Sequence, residues 1–183
     1  NMLKKKINKF KPCVIGLGYV GLPILLNLEK KYYSIGYDIN EERVSSLIKG
    51  IDIFGEFKKK NLKKKNIKFS SDVKSLKSCN FFIITVPTPI FKNKKPDLSH
   101  LRNVCNELSK IIKKNDIIIF ESTVFPGATE EEFIPLIEKY SKLKNNIDFS
   151  VGYSPERINP GDKKHTLTKI TKIILSNNNF CLK

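Results

Sequence analysis

The fold of this chain is decided by the stretch Pro12-Cys13-Val14-Ile15-Gly16-Leu17-Gly18-Tyr19-Val20-Gly21, a short apolar run that leads into three glycines. An apolar segment, 22–28, follows the glycines, and a second short run, 32–37, ends at Asp38. Strand, glycine turn, helix, strand and acid in this order are typical of a β-α-β unit that binds a dinucleotide.

Each glycine of the turn has its own expected role. Gly16 allows the tight turn, Gly18 lets the backbone approach a pyrophosphate, and Gly21 lets the helix pack close to the strand. The helix directs free N–H groups and its positive end at the phosphates. Asp38 lies 17 residues after Gly21, where its carboxylate can bind both hydroxyls of an adenosine ribose. Because a 2′-phosphate would meet this negative charge, the sequence predicts NAD rather than NADP. The alternative to a dinucleotide site is a glycine-rich turn that has only a structural role and binds nothing.

The remainder of the chain alternates strands with helices, which predicts an α/β fold: a Rossmann-type doubly wound parallel sheet over residues 1–183. The continuously apolar run 81–86 is typical of a central parallel strand that is covered on both faces. The predicted strands are 12–16, 32–38, 67–69, 81–86, 117–120, 147–151 and 172–175. The predicted helices are 19–31, 41–49, a short helix within 51–65, 71–77, 97–113 and a helix that opens at 126–129.

Composition limits the classes of protein to which the chain can belong. A hydrophobic content of 40% supports an ordinary core, and no apolar run approaches the ~20 residues of a membrane helix. The four cysteines and two histidines are not placed at metal-binding spacings, so neither a metal site nor a disulfide framework is predicted. We expect a cytoplasmic protein with reduced thiols, without a membrane partner.

The net charge of +16 raises the possibility of nucleic-acid binding. Nearly all of the excess is lysine, and the one dense cluster, Lys58-Lys59-Lys60 with Lys63-Lys64-Lys65, contains no interleaved aromatic residue. A solvated basic loop is therefore favoured over a nucleic-acid site, and no nucleic-acid partner is predicted. The charge can still help to attract an anionic substrate.

Further site candidates follow the later strands, at the same edge of the sheet. Thr88 lies between two prolines after strand 81–86, where it can reach a cofactor or belong only to a rigid turn. Thr123 presents a hydroxyl after strand 117–120. The polar, proline-rich stretch 152–161 follows the next strand and is favoured as a site loop over an ordinary surface loop. Arg43, five residues after Asp38, either stacks on an adenine ring or is a surface residue of its helix.

Several of these segments together resemble the UDP-glucose/GDP-mannose dehydrogenase family, in that family's order. The segments that carry the resemblance are Gly16-Leu17-Gly18-Tyr19-Val20-Gly21-Leu22-Pro23, Val86-Pro87-Thr88-Pro89, Glu121-Ser122-Thr123-Val124-Phe125-Pro126-Gly127 and 153–162. The form Ser154-Pro155-Glu156-Arg157-Ile158-Asn159-Pro160-Gly161 looks like the branch that acts on UDP-N-acetylhexosamines, such as UDP-N-acetylglucosamine 6-dehydrogenase. UDP-glucose enzymes typically carry a second glutamate where this chain has Pro160, so UDP-glucose is the poorer substrate.

The resemblance implies a four-electron oxidation in cell-surface polysaccharide synthesis. The C6 alcohol of the sugar becomes an aldehyde and then a carboxylate, with two NAD as hydride acceptors. Members of the family hold the substrate on a cysteine as a thiohemiacetal and a thioester. A homodimer is expected for the complete enzyme, formed through a central helix that is absent from these 183 residues.

The resemblance also implies roles for individual residues. Thr123 would orient the attacking water, and Glu156 would accept a proton or position that water. Arg157 and the backbone of Ile158 would contact the sugar nucleotide. The residues implied in NAD binding are Gly16, Gly18, Tyr19, Val20, Gly21, Asp38, Arg43, Thr88 and Thr123.

The chain departs from the family pattern in two respects. The glycine-rich motif with the nucleophilic cysteine is absent, and so is the helical lysine-asparagine pair that binds substrate. We therefore expect residues 1–183 to be a truncated NAD-binding domain that does not turn over alone. Two alternatives remain open: a non-catalytic NAD-binding module, and a short-chain epimerase suggested by the Tyr140-x-x-x-Lys144 spacing.

Overall fold

A computed structural model describes residues 10–155 together with Leu175 and Ser176. The strands are β1 Pro12–Ile15, β2 Ser34–Tyr37, β3 Ile67–Ser70, β4 Phe81–Ile84, β5 Ile117–Phe120 and β6 Ser150–Tyr153. The α-helices are α1 Gly21–Leu28, α2 Glu41–Lys49, α3 Lys59–Leu62, α4 Ser99–Ser109 and α5 Ile134–Ser141. A 3₁₀-helix spans Val73–Ser78, and a π-helical turn, Thr129–Phe133, leads directly into α5.

The six strands form one parallel sheet in the order β3-β2-β1-β4-β5-β6. This confirms the predicted doubly wound α/β fold. The strand order reverses between β1 and β4, where Val14 pairs with Gly36 on one side and with Ile83 on the other. In such sheets the reversal opens a crevice beyond the carboxyl ends of the strands, and ligands bind there.

Apolar side chains cover both faces of the sheet. On one face the helices α1 and α2 pack Leu25 and Leu47 onto Val14. On the other face Phe82 and Phe120 meet the helices α4 and α5, and the Phe120 and Phe133 rings stack 5.2 Å apart. Each fully buried side chain of this size contributes about 1.5–3 kcal/mol. This two-sided burial explains why the central strands are apolar without alternation.

Several predicted boundaries move for identifiable reasons. Helix α1 is shorter than 19–31 because Tyr19 lies in the glycine turn and Val20 is the N-cap. Strand β6 begins at residue 150 rather than 147 because a compact turn precedes it, in which Asp148 accepts from the amide of Lys144 at 3.0 Å. Of the predicted strand 172–175 only Leu175 is described, and it bridges Tyr153 in antiparallel orientation.

The predicted helix 41–49 is confirmed as α2, and its ends are explained by local caps. The Asn40 side chain caps α2 by accepting from the amide of Arg43 at 3.0 Å, and Gly50 ends that helix with a left-handed φ of 82°. Asp72 caps the 3₁₀-helix in the same way. Within the described ranges, no helix has the length and apolar character to cross a membrane.

The glycine turn brings α1 unusually close to β1 and β4. A Cβ atom on Gly21 would overlap the carbonyl oxygen of Gly16 and the hydroxyl of Thr85. A Cβ atom on Gly18 would meet nothing within 4 Å. Two glycines of one motif therefore have different constraints: Gly21 is needed for packing, whereas Gly18 leaves open space beside the backbone.

We predict that Gly21→Ala lowers the free energy of unfolding by about 1–3 kcal/mol or prevents folding, because backbone atoms must shift. Gly18→Ala is the matched control and should change the free energy of unfolding by less than about 0.5 kcal/mol. Urea denaturation followed by circular dichroism measures both values. Equal stability of the two variants would contradict the close approach of α1 to the strands.

Candidate functional site

A cleft of about 730 Å³ lies at the carboxyl edge of the sheet, where the strand order reverses. One wall is formed by the glycine turn and the loop after β2, and the other by the loops after β4 and β5 and by α4. Of the predicted cofactor residues, the cleft is lined by Gly16, Gly18, Tyr19, Val20, Asp38, Arg43, Thr88 and Thr123. Gly21 begins α1 directly behind this wall.

The glycine turn is held by hydrogen bonds that leave its outer side free for a ligand. Gly16 has a φ of +95° and donates its N–H to the Tyr37 carbonyl at 2.8 Å. The Thr85 hydroxyl lies 2.7 Å from the Gly16 carbonyl oxygen and 3.0 Å from that of Ile15. The open space beside Gly18 allows a bulky anionic group to approach the backbone and the start of α1.

Asp38 is oriented by two backbone amides at the end of β2. Its Oδ2 accepts from the Leu17 N–H at 2.7 Å, and its Oδ1 accepts from the Asn40 N–H at 2.9 Å. Each carboxylate oxygen has a further lone pair, so the group can still accept hydrogen bonds from a diol. Asp38 therefore lies directly after β2, against the glycine turn.

Arg43 bends from α2 back over the glycine turn. Its Nε donates to the Leu17 carbonyl at 2.9 Å, and its Nη1 donates to Asp52 Oδ1 at 2.8 Å. The Phe54 ring covers the guanidinium, with its centroid 4.6 Å from Cζ. Only 5% of Arg43 is exposed, so the alternative of an ordinary surface residue is wrong.

Sequence reasoning missed Asp52, Phe54 and Thr85. The Phe54 ring packs against Tyr19 of the glycine turn, with centroids 4.3 Å apart. An aspartate two residues after Gly50 is a recognisable turn former. However, nothing in the sequence connects it to Arg43, which lies nine positions earlier on another element.

The loops that follow β4 and β5 are tied together beside the cleft. The Thr88 hydroxyl donates to the Thr123 carbonyl at 2.8 Å, and the Ser122 hydroxyl donates to the Val86 carbonyl at 2.6 Å. The Thr123 side chain is exposed at this edge. The two predicted threonines are therefore brought together, across 35 positions of sequence.

The inner end of the cleft is negatively polarised although the whole chain is strongly basic. The pKa of the Tyr37 phenol is raised above its usual 10.0, first by desolvation and then by the charges of Glu107, Asp38 and Asp72. Both Tyr37 and Glu107 line the cleft with Asp38. An additional anion at this end would face the same carboxylates.

Other predicted residues are placed elsewhere. Tyr140 and Lys144 lie at and beyond the end of α5, outside the lining of the cleft, and Lys144 pairs with Glu138 at 3.4 Å. The predicted residues Glu156, Arg157 and Ile158 lie outside the described residues. Strand β6 carries the chain to buried Ser154, whose N–H donates to the Phe120 carbonyl at 2.9 Å. Among the described residues, no cluster of His, Cys, Asp and Glu could hold a metal ion.

Comparison with known proteins gives matches over nearly the whole chain. A model of the UDP-glucose/GDP-mannose dehydrogenase family, NAD binding domain, matches residues 10–181. The UDP-N-acetyl-D-glucosamine 6-dehydrogenase of Pseudomonas aeruginosa is 49% identical over 164 residues, which cover 89% of this chain and 39% of that protein. Protein CapL of Staphylococcus aureus is 50% identical over 161 residues, which cover 88% of this chain and 38% of that protein.

A solved structure supports the same relationship. The UDP-D-ManNAc dehydrogenase of Pyrococcus horikoshii matches with a TM-score of 0.84 and 30% identity, over 93% of this chain and 42% of that one. The chain thus spans 38–40% of the length of the curated relatives that match it at 46–50% identity.

Proposed function

This chain belongs to the UDP-glucose/GDP-mannose dehydrogenase family, whose NAD-binding domain it contains, and we propose from this that its protein oxidises C6 of a UDP-N-acetylhexosamine to the uronate with two NAD. The observation that carries the proposal is the cleft at the strand reversal, where the Asp38 carboxylate lies beside the open backbone at Gly18. The relative named for UDP-N-acetyl-D-glucosamine makes that sugar nucleotide the first substrate to test. The product would enter cell-surface polysaccharide synthesis.

The described residues fit the adenosine and pyrophosphate parts of NAD. We assign the pyrophosphate to the Gly16–Gly21 turn, where the backbone is open at Gly18 and the positive end of α1 has no side-chain cap. The Asp38 carboxylate would accept from the two hydroxyls of the adenosine ribose. Tyr19, Val20 and Arg43 would form the adjoining wall.

The nicotinamide end is assigned to the tied loops after β4 and β5. NAD accepts a hydride from the substrate when it is bound. Thr88, held by the Thr123 carbonyl, would position the cofactor at the strand edge, and the exposed Thr123 hydroxyl would orient the attacking water. From the family resemblance, Glu156 would accept a proton or position water, while Arg157 and the Ile158 backbone would bind the sugar nucleotide.

We propose that residues 1–183 are the cofactor part of a longer cytoplasmic enzyme. The relatives are more than twice as long as the matched region, and the family's cysteine motif does not occur in this sequence. The nucleophile, the substrate lysine and the dimer-forming helix would then lie in the remainder of the protein. The complete enzyme would act as a homodimer.

We predict that the 183-residue chain binds NAD and that Asp38→Ala weakens this binding by about tenfold or more, because hydrogen bonds to the ribose are lost. Calorimetric titration with NAD, and with NADP for comparison, measures the affinities. NADP should bind the wild-type chain more weakly than NAD. Asp148→Ala is the control, since Asp148 lies before β6, at the opposite edge of the sheet. Equal losses in both variants would contradict the assigned ribose site.

We predict that the complete protein forms two NADH per UDP-N-acetyl-D-glucosamine, because an alcohol is oxidised to a carboxylate, and that residues 1–183 alone form none. Absorbance at the NADH band, together with analysis of the uronate product, provides the measurement. Turnover by residues 1–183 alone would refute the assignment of the nucleophile to another part of the protein. Bound NAD without oxidation of any UDP-N-acetylhexosamine by the complete protein would refute the proposed activity.

A further inference from the structure

We propose that Asp52 is a specificity-determining residue that favours NAD over NADP, because its carboxylate neutralises and holds the guanidinium of Arg43 beside the ribose site. This inference rests on the proposed NAD site and adds to it a residue that does not line the cleft. Asp38 repels a 2′-phosphate directly, whereas Asp52 would act through Arg43.

Arg43 lies close enough to Asp38 to attract a 2′-phosphate on the adenosine ribose. The two polar atoms of the Leu17 backbone bind opposite charges: its N–H donates to Asp38, and its carbonyl accepts from Arg43 Nε. The guanidinium and the ribose-binding carboxylate are therefore neighbours across one residue. In Rossmann-type proteins an arginine near this place accommodates the 2′-phosphate of NADP. Without compensation, Arg43 would weaken the selectivity that Asp38 provides.

Asp52 supplies that compensation. Its Oδ1 lies 2.8 Å from Arg43 Nη1, and only 5% of the arginine side chain and 1% of the aspartate side chain are exposed. Charges so well removed from water are poorly screened, so the pair is strongly coupled and its net charge is close to zero. The guanidinium consequently presents little net attraction to a second anion.

The position of Asp52 is built into its loop and does not depend on Arg43. Oδ2 accepts from the amides of Glu56 and Phe57 at 3.0 and 3.1 Å, and Oδ1 accepts from that of Phe54 at 3.3 Å. This arrangement also places the Phe54 ring over the guanidinium, 4.6 Å away. The loop therefore fixes both the counter-charge and the aromatic cover of Arg43.

One nitrogen of the guanidinium is left without a partner in the described part of the chain. Nε is bound to Leu17 and Nη1 to Asp52, while Nη2 is buried without a hydrogen-bond partner among the described residues. A buried donor of this kind needs an acceptor, and Arg43 lines the cleft. A neutral oxygen of the bound dinucleotide, such as a ribose hydroxyl, suits an N–H of Nη2 on this neutralised group. A 2′-phosphate would require the charge that Asp52 has already compensated.

Asp52→Asn tests this inference, because it removes the charge while its one amide oxygen can still accept from the Glu56 and Phe57 amides. Calorimetric titrations of the 183-residue chain with NAD and with NADP give the ratio of the two dissociation constants. We expect the ratio of the NADP value to the NAD value to fall by about tenfold or more in Asp52→Asn. In the double variant Asp52→Asn with Arg43→Met the fall should disappear, since the freed guanidinium causes it.

Asp148→Asn is the matched control, since it makes the same change of charge at the opposite edge of the sheet and should leave the ratio unaltered. A purely structural role for Asp52 would weaken both cofactors alike, and an unchanged ratio would overturn the inference. NAD binding by the wild-type chain separates the two proposals: its absence overturns the NAD site as well, whereas its presence with an unchanged ratio overturns only the role of Asp52.

Arg43→Met alone gives a second test that does not require the Asp52 variant to fold. Loss of the guanidinium leaves the buried Asp52 charge uncompensated, so the ratio of the NADP dissociation constant to the NAD dissociation constant should rise relative to the wild-type chain. An unchanged or lower ratio would show that the charge of Asp52 does not act on the ribose site, and it would overturn the inference.

Discussion

The close approach of α1 to β1 and β4 is the constraint on which the site depends. Gly21 has no room for a side chain between the Gly16 carbonyl and the Thr85 hydroxyl. This contact aims the start of the helix at the point where the strand order reverses, with the backbone of Gly18 open beside it. The fold thus provides a positive helix end and space at one place, which together suit a pyrophosphate.

Selectivity is added to this general anion site by charges grouped around Leu17. Asp38 and Arg43 hold its N–H and its carbonyl, and Asp52 compensates the arginine from the loop beyond α2. The carboxylates near Tyr37 make the inner end of the cleft negative as well. A chain with a net charge of +16 can therefore be locally acidic at the proposed ribose site, because short-range contacts outweigh distant, solvent-screened lysines.

Signals carried by neighbouring residues predicted most of the fold and part of the site. The glycine spacing, the acid after β2 and the bounds of helix 41–49 each depend on a few adjacent positions, and each is found where expected. Contacts between distant segments left no such signal. In the sequence, Thr85 looks only like the end of an apolar strand. The hydrogen bond from Thr88 to Thr123 spans 35 positions, and Asp52, the partner of Arg43, lies in an irregular loop. Such pairs follow from tertiary packing alone.

The central claim is that NAD binds at the carboxyl edge of the sheet across the glycine turn. Amide chemical shifts of the ¹⁵N-labelled chain during titration with NAD test it most directly, since each backbone N–H reports its own surroundings. We expect saturable changes at Leu17, Gly18 and Asp38 and in the loops after β4 and β5, with none in the turn 113–116 or 144–149 at the opposite edge. Changes confined to that opposite edge, with a silent glycine turn, would contradict it.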